Sequence, residues 1–208
     1  DLAAGNLFGS NMFNIMLLGI LDMVHYRRRI SRKSAEKHAL SGSLAVMMIS
    51  LAIFFIIAEL PPRIRLGNFV VGVDGLVMVI AYLLVMSLLR KQSRQLVANI
   101  KEEDIPEDVP SLKTALIWFV AAVTVLVVVT PWLVDASTRI ADITGLGTTF
   151  IGSTLLAVVT SLPETVTTIS AARIGADDLA IGNLFGSNMF NMFTIGVADL
   201  FFAGGRLF

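Results

Sequence analysis

Six stretches of this chain, near residues 3 to 24, 40 to 60, 68 to 90, 112 to 134, 143 to 172 and 178 to 202, stay apolar over a span's length. About 20 such residues let a helix cross roughly 30 Å of hydrocarbon. Backbone that crosses lipid must satisfy its own hydrogen bonds, so the expected class is an all-α integral membrane protein with six transmembrane helices. Composition agrees: 55% of the 208 residues are hydrophobic and 15% charged, and the mean hydropathy is +0.79, above that of ordinary soluble domains. Sixteen basic and sixteen acidic residues cancel, so no global field recruits nucleic acid, and the lipid bilayer is the expected partner. The chain has no cysteine, which excludes disulfides, thiolate metal sites and cysteine nucleophiles. Its two histidines, His25 and His38, share one basic connection and do not suggest a metal cluster.

The cations are distributed unevenly. Arg27, Arg28, Arg29, Arg32, Lys33, Lys37, Arg90, Lys91, Arg94, Lys101, Lys113 and Arg173 fall in the first, third and fifth connections, whereas Arg63, Arg65, Arg139 and Arg206 fall on the alternate side. The positive-inside bias then places segments 25–39, 91–111 and 173–177 in the cytoplasm of a multi-pass inner-membrane protein. The third connection contains KEEDIPEDVP, whose carboxylates and prolines read as a solvated linker rather than a calcium-sensing loop.

A decamer, GNLFGSNMFN, occurs at Gly5 to Asn14 and again at Gly182 to Asn191, an offset of 177 residues. The match extends to DLAAGNLFGSNMFN against DLAIGNLFGSNMFN, and Gly19 and Asp22 recur as Gly196 and Asp199. With five connections between them, the two copies cross the membrane in opposite directions. Inverted internal repeats mark secondary transporters, whose substrate sites form between the repeats at the membrane midplane. Within each copy Ser10 and Asn14, or Ser187 and Asn191, are four apart on one helical face. Gly5 with Gly9, and Gly182 with Gly186, form a face suited to close helix packing. The asparagines, including Asn6 and Asn11, are costly in hydrocarbon unless paired between helices or turned toward a wet cavity.

Ahead of the second copy lies TSLPE, Thr160 to Glu164. Thr160 and Ser161 are four and three residues from Glu164, so two hydroxyls and a carboxylate share a face. Pro163 removes a backbone donor and should kink or break the helix there, releasing carbonyl oxygens near Ala157 to Thr160. Carboxylate, hydroxyl, amide and carbonyl oxygens together suit a hard cation such as Ca²⁺ or Na⁺. Asp74, in GVDGL, is a weaker candidate because Gly72 and Gly75 suggest an interfacial helix start; Asp22, Asp199 and Glu59 lie toward span ends.

On these motifs the chain resembles the sodium/calcium exchanger group of the cation/calcium antiporter superfamily. TSLPE followed by GNLFGSN resembles that family's second α-repeat, and the first decamer resembles the end of its first. The resemblance implies an antiporter rather than an enzyme. Its fold would hold ten helices in two inverted sets of five, of which the six spans here look like the third to the eighth. Residues 1–90 would then belong to the first repeat, 91–111 to a cytoplasmic linker and 112–208 to the second repeat. Further implied is a set of cation ligands: Thr160, Ser161, Glu164 and the backbone carbonyl of Ala157 on one helix, Ser187 and Asn191 on the next, and Ser10 and Asn14 on the first span. The transported ions would be Ca²⁺ and Na⁺, with H⁺ as the alternative coupling ion and no tightly bound cofactor. The short linker resembles the prokaryotic type.

Two departures accompany the resemblance. By the repeat offset, the counterpart of SLPE falls about 14 residues before Asp1, and two helices of the family fold follow the last span, so the expectation is a fragment that lacks flanking helices of the same protein. Asn191 also stands where many members resembling this pattern carry aspartate, which lowers the charge of the site. Rival readings are a proton-coupled exchanger and a structural membrane subunit that uses the decamers for packing alone. An intramembrane hydrolase is disfavoured because no histidine or lysine lies in a span near Ser10 or Ser187.

Overall fold

The structure is a computed structural model that describes residues 2–24, 32–58, 64–66, 69–97 and 111–201. The described chain is helical apart from one small ribbon: α1 (Leu2–Val24), α2 (Arg32–Ala58), strands β1 (Ile64–Leu66) and β2 (Phe69–Val71), α3 (Val73–Val97), α4 (Leu112–Thr144), α5 (Thr148–Ile151), a π-helical turn (Gly152–Leu156), α6 (Ala157–Thr160), α7 (Leu162–Arg173) and α8 (Asp177–Phe201). Most of the acidic linker, 98–110, and connection 25–31 lie outside the described residues.

Among the described residues, four helices are long and apolar enough to cross a membrane, or five if Thr148–Thr160 and Leu162–Arg173 form one broken span. The sixth expected span is present as α8 but is not among them. Asp177, Asp178, Asp199 and the amides of the decamer lower its hydropathy. Its position explains how it tolerates them: α8 packs against α1, α2, α3 and α7, so protein rather than lipid surrounds it. Its buried residues, from Ala180 through Leu184, Asn188, Met192 and Ile195 to Asp199, cover several faces.

Two apolar clusters meet on this central helix. Leu44, Ala45, Met48, Ala52 and Phe55 of α2 join Met78 and Val85 of α3 and Met189, Met192 and Ile195 of α8. Leu17 and Leu21 of α1 join Ala171 and Ala172 of α7 and Ala180 and Leu184 of α8. By contrast α4 is exposed from Ser111 to Trp132 and buries only Ser137 and Ala141 near its end. An apolar helix with so little protein around it is suited to face lipid chains, which are as apolar as its own side chains.

Several boundaries differ from expectation for local reasons. Span 68–90 begins instead with β2, and the helix starts at Val73 after Gly72, where the Asp74 carboxylate accepts from the Gly75 amide at 3.1 Å. The expected connection DASTRIAD continues α4, supported by the Asp135–Arg139 pair at 2.9 Å one turn apart. Helix α4 ends at Gly145, whose positive φ of 70° and N–H bond to the Ala141 carbonyl form a left-handed cap. Gly175, with φ 78°, turns the chain between α7 and α8 in the same way.

Described residues in or next to the three connections expected to share one side meet at Lys37. Lys37 Nζ meets Asp178 Oδ2 at 2.7 Å, and Gln92 Nε2 donates to the Lys37 carbonyl at 3.2 Å.

Candidate functional site

The candidate site lies at the break in the fifth expected span. Helices 148–160 and 162–173 meet at an angle of 44°, with Ser161 at the junction (φ −90°, ψ 4°) and Pro163 in the first turn of α7. Pro163 is well placed there, because a helix's first amides need no partner within the helix. The carbonyl of Ala157 is not released by the break: it accepts from Ser161 N at 3.0 Å, and Thr160 Oγ1 lies 3.3 Å away. It can still ligate a cation, since a carbonyl oxygen has a second lone pair.

The π-helical turn had no counterpart in the sequence reading. It lies in close packing against the first decamer. A Cβ on Gly9 would come within 3.0 Å of the Ser153 backbone and Ala157 Cβ, and one on Gly5 would lie 2.7 Å from the Thr149 carbonyl. Gly152 approaches the Leu2 carbonyl just as closely. Glycines on both partners therefore bring backbone against backbone along residues 149–157, and the widened turn lies within that contact. Gly152 beside Ser153 and Thr154 was the available signal, a flexible and polar start to an apolar helix.

The candidate ligands fall into linked groups. Glu164 is half-buried, and its Oε1 accepts from Ser187 Oγ at 3.2 Å, joining the carboxylate of α7 to the second decamer. Thr160 Oγ1 donates to Asn6 Oδ1 at 2.8 Å and lies 2.9 Å from the Leu156 carbonyl, so the hydroxyl before the break is tied to the first decamer. Ser161 and Ser10 are buried, at 2% and 6% exposure. Asn14 and Asn191 do not bond to Glu164. Asn14 Nδ2 donates to Asn188 Oδ1 at 2.9 Å, and Asn191 Nδ2 donates to Asn11 Oδ1 at 2.8 Å. Asn183 reaches back to α7, where its Nδ2 lies 2.9 Å from Thr168 Oγ1, 3.0 Å from Thr167 Oγ1 and 3.4 Å from the Glu164 carbonyl.

Asn6, Asn11, Asn183 and Asn188 thus act as partners that the ligand set did not include, although their cost in hydrocarbon signalled that they needed partners. Glu164, Thr160 and Asn183 also line a groove of about 600 Å³ whose opposite wall is Leu126, Val129, Thr130 and Leu133 of α4. The carboxylate therefore has a lateral opening. Among the described residues no three carboxylate or imidazole groups come together, so the centre consists of one carboxylate among hydroxyl, amide and carbonyl oxygens. That donor set is hard and suits oxygen-seeking cations.

The family model described as "Sodium/calcium exchanger protein" matches residues 1–91 and 114–206. The chain belongs to the sodium/calcium exchanger family. It is 29% identical over 197 residues to inner membrane protein YrbG of Escherichia coli (strain K12), covering 92% of this chain and 57% of YrbG. Over 78 residues, 37% of this chain and 22% of the relative, it is 46% identical to sodium/calcium exchanger MaX1 of Methanosarcina acetivorans. Over 81 residues, 39% of this chain and 15% of the relative, it is 37% identical to sodium/potassium/calcium exchanger 5 of Homo sapiens. The chain therefore spans little more than half the length of YrbG and less of the other two. No solved structure matches it. Family membership and the apolar helices together make it a multi-pass membrane protein.

Proposed function

We propose that this chain forms the core of a cation antiporter that exchanges Ca²⁺ for Na⁺ by alternating access, with both ions competing for oxygen ligands around Glu164. The observation that carries this reading is the Glu164–Ser187 contact at the break, where a carboxylate from the broken span meets a hydroxyl of the second decamer beside a groove. Glu164 supplies the charge. Thr160, Ser161, Ser10 and Ser187 supply hydroxyl oxygens, Asn14 and Asn191 amide oxygens, and Ala157 a main-chain oxygen, together replacing a hydration shell. An ion binding across both repeats stabilises their mutual fit and allows them to rock, whereas a buried carboxylate without its cation opposes that motion.

The six spans, read with the inverted decamers, are part of a ten-helix fold of two five-helix repeats, with 1–90 in the first, 91–111 as linker and 112–208 in the second. The convergence of Lys37, Gln92 and Asp178 at one end supports a cytoplasmic location for 25–39, 91–111 and 173–177. The printed name of YrbG supports the inner membrane.

The test is Ca²⁺ uptake into proteoliposomes driven by an outward Na⁺ gradient. Glu164→Gln keeps the size and hydrogen bonding of the side chain but removes the charge, and it is expected to lower uptake by about 100-fold or more. Unchanged uptake in this variant would show that Glu164 is not the charged ligand. Uptake in wild type driven by a pH gradient without Na⁺ would replace Na⁺ with H⁺ as the coupling ion.

A further inference from the structure

The helices α1 and α8 cross through two hydrogen bonds that are copies of one another. Adding the 177-residue repeat offset to Asn11 and Asn14 gives Asn188 and Asn191. The bond Asn14 Nδ2 to Asn188 Oδ1 thereby becomes Asn191 Nδ2 to Asn11 Oδ1, and both bonds are present, at 2.9 and 2.8 Å. Direction is conserved along with pairing: in each bond the residue that the proposed function makes a ligand donates, and its partner from the other repeat accepts.

That choice has a visible cost. The Nδ2 atoms of Asn11 and Asn188 are buried and make no hydrogen bond among the described residues, and the same holds for Asn14 Oδ1. A buried donor without a partner costs about 1–3 kcal/mol, so such groups need an explanation. Turning both amides over would let Asn188 Nδ2 donate to Asn14 Oδ1 and leave one bond in place, but it would cover the oxygen that a cation needs. An asparagine amide presents an acceptor on one side and two donor hydrogens on the other. Only the acceptor side can hold a cation, so a partner that engages the donor side fixes which face the ion meets.

We infer that Asn11 and Asn188 are positioning residues, each turning a ligand amide of the opposite repeat, Asn191 and Asn14 respectively, so that its carbonyl oxygen is presented to the transported cation. The inference rests on the proposed function, because it assigns Asn14 and Asn191 as ligands. It adds two residues that do not touch the ion. It also adds a coupling between the repeats, since each repeat's amide ligand is set by the other.

The experiment measures the Ca²⁺ KM and Vmax of Na⁺-driven uptake, and Ca²⁺ binding in detergent by calorimetry, in wild type, Asn188→Leu, Asn188→Asp, Asn14→Ala and the Asn14→Ala/Asn188→Leu double variant. Asn188→Leu removes the acceptor at similar volume and is expected to raise KM by about 10- to 100-fold, the usual effect of losing a group that orients a metal ligand. Vmax should change much less. Asn188→Asp keeps an oxygen for Asn14 to donate to and should return KM to the wild-type value or below. In the Asn14→Ala background, Asn188→Leu should have no further effect on KM, because the residue acts through Asn14. An Asn188→Leu protein with a lower melting temperature but wild-type KM overturns the inference, and so does an equal rise in KM in the Asn14→Ala background. If Asn188→Leu does not fold, Asn11→Leu, acting on Asn191, carries the same test with the same outcomes. Failure of wild type itself to bind or transport Ca²⁺ sinks the proposed function instead, which separates the two failures.

Discussion

The first and second copies of GNLFGSNMFN share every residue, yet they occupy different surroundings. In α1, Gly5 and Gly9 lie against the backbone of residues 149–157, with no space for a Cβ. In α8, a Cβ on Gly182 would meet only the His38 ring at 3.5 Å, and one on Gly186 would meet nothing within 4 Å among the described residues. Further along the relation reverses. Gly19 and Asp22 of α1 are exposed, whereas Gly196 packs against Met78 and Gly75, and Asp199 is buried at 2% exposure. Only the asparagine pairs in the middle are equivalent. The Asn14–Asn188 and Asn11–Asn191 pairs therefore keep the symmetry of the repeat, while the other positions, Asn6 against Asn183 and Ser10 against Ser187 among them, take their roles from whichever helix lies alongside.

The largest test of this contrast puts the same substitution in both copies. Gly9→Leu must displace the Ser153 backbone and Ala157, and overpacking against backbone is expected to cost about 3 kcal/mol or more. Gly186→Leu adds its side chain to open space and should stay within about 0.5 kcal/mol of wild type. Thermal unfolding in detergent, followed by near-ultraviolet circular dichroism, measures both. Equal losses would mean that the second glycine face is also packed and that the asymmetry is wrong.

A second pair tests the positions that directly follow the two decamers. Ile15 and Met192 are related by the repeat offset, but Ile15 is 46% exposed whereas Met192 is at 0%, within the cluster that joins α2, α3 and α8. Met192→Ala should cost about 2–5 kcal/mol through lost contacts and the cavity left behind. Ile15→Ala should cost less than about 1 kcal/mol. Comparable values for the two would place Ile15 in a packed interface.

How much of this was legible in the sequence follows from the same contrast. Apolar length located the helices, because hydropathy depends on residue type and not on neighbours, and Pro163 located the break, because a missing N–H is a local property. Thr160 and Glu164, one helical turn apart in sequence, line one groove, although their partners were not legible. Thr160 bonds Asn6 and Glu164 bonds Ser187 across helices, and spacing along one helix contains no information about the next. The π-helical turn at Gly152–Leu156 was hidden for the same reason, since the glycines it packs against lie in α1. The ribbon of Ile64–Leu66 and Phe69–Val71 was absorbed partly into a connection and partly into the third span, because strands of three residues are too short to show a period. That α8 lies at the centre was also not legible: the lower hydropathy that makes it the poorest membrane span results from its enclosure by protein.

The smallest expected effect concerns the start of the extended repeat, where Asp178 meets α2. Lys37 Nζ lies 2.7 Å from Asp178 Oδ2 and His38 Nε2 lies 3.6 Å from Asp178 Oδ1, with the Lys37 and Asp178 side chains 44% and 46% exposed. Water screens a pair so open, and ordering two side chains offsets much of the attraction, so the coupling should be about 0.5 kcal/mol and should fall as salt is added. A double-mutant cycle on Lys37→Ala and Asp178→Ala, read by thermal unfolding at low and high ionic strength, gives that number directly. A coupling above about 2 kcal/mol that resists salt would require the pair to be desolvated. The N-terminal end of the second copy would then be closed off from water rather than open at the rim of the bundle, and the difference from the first copy would extend along the whole helix.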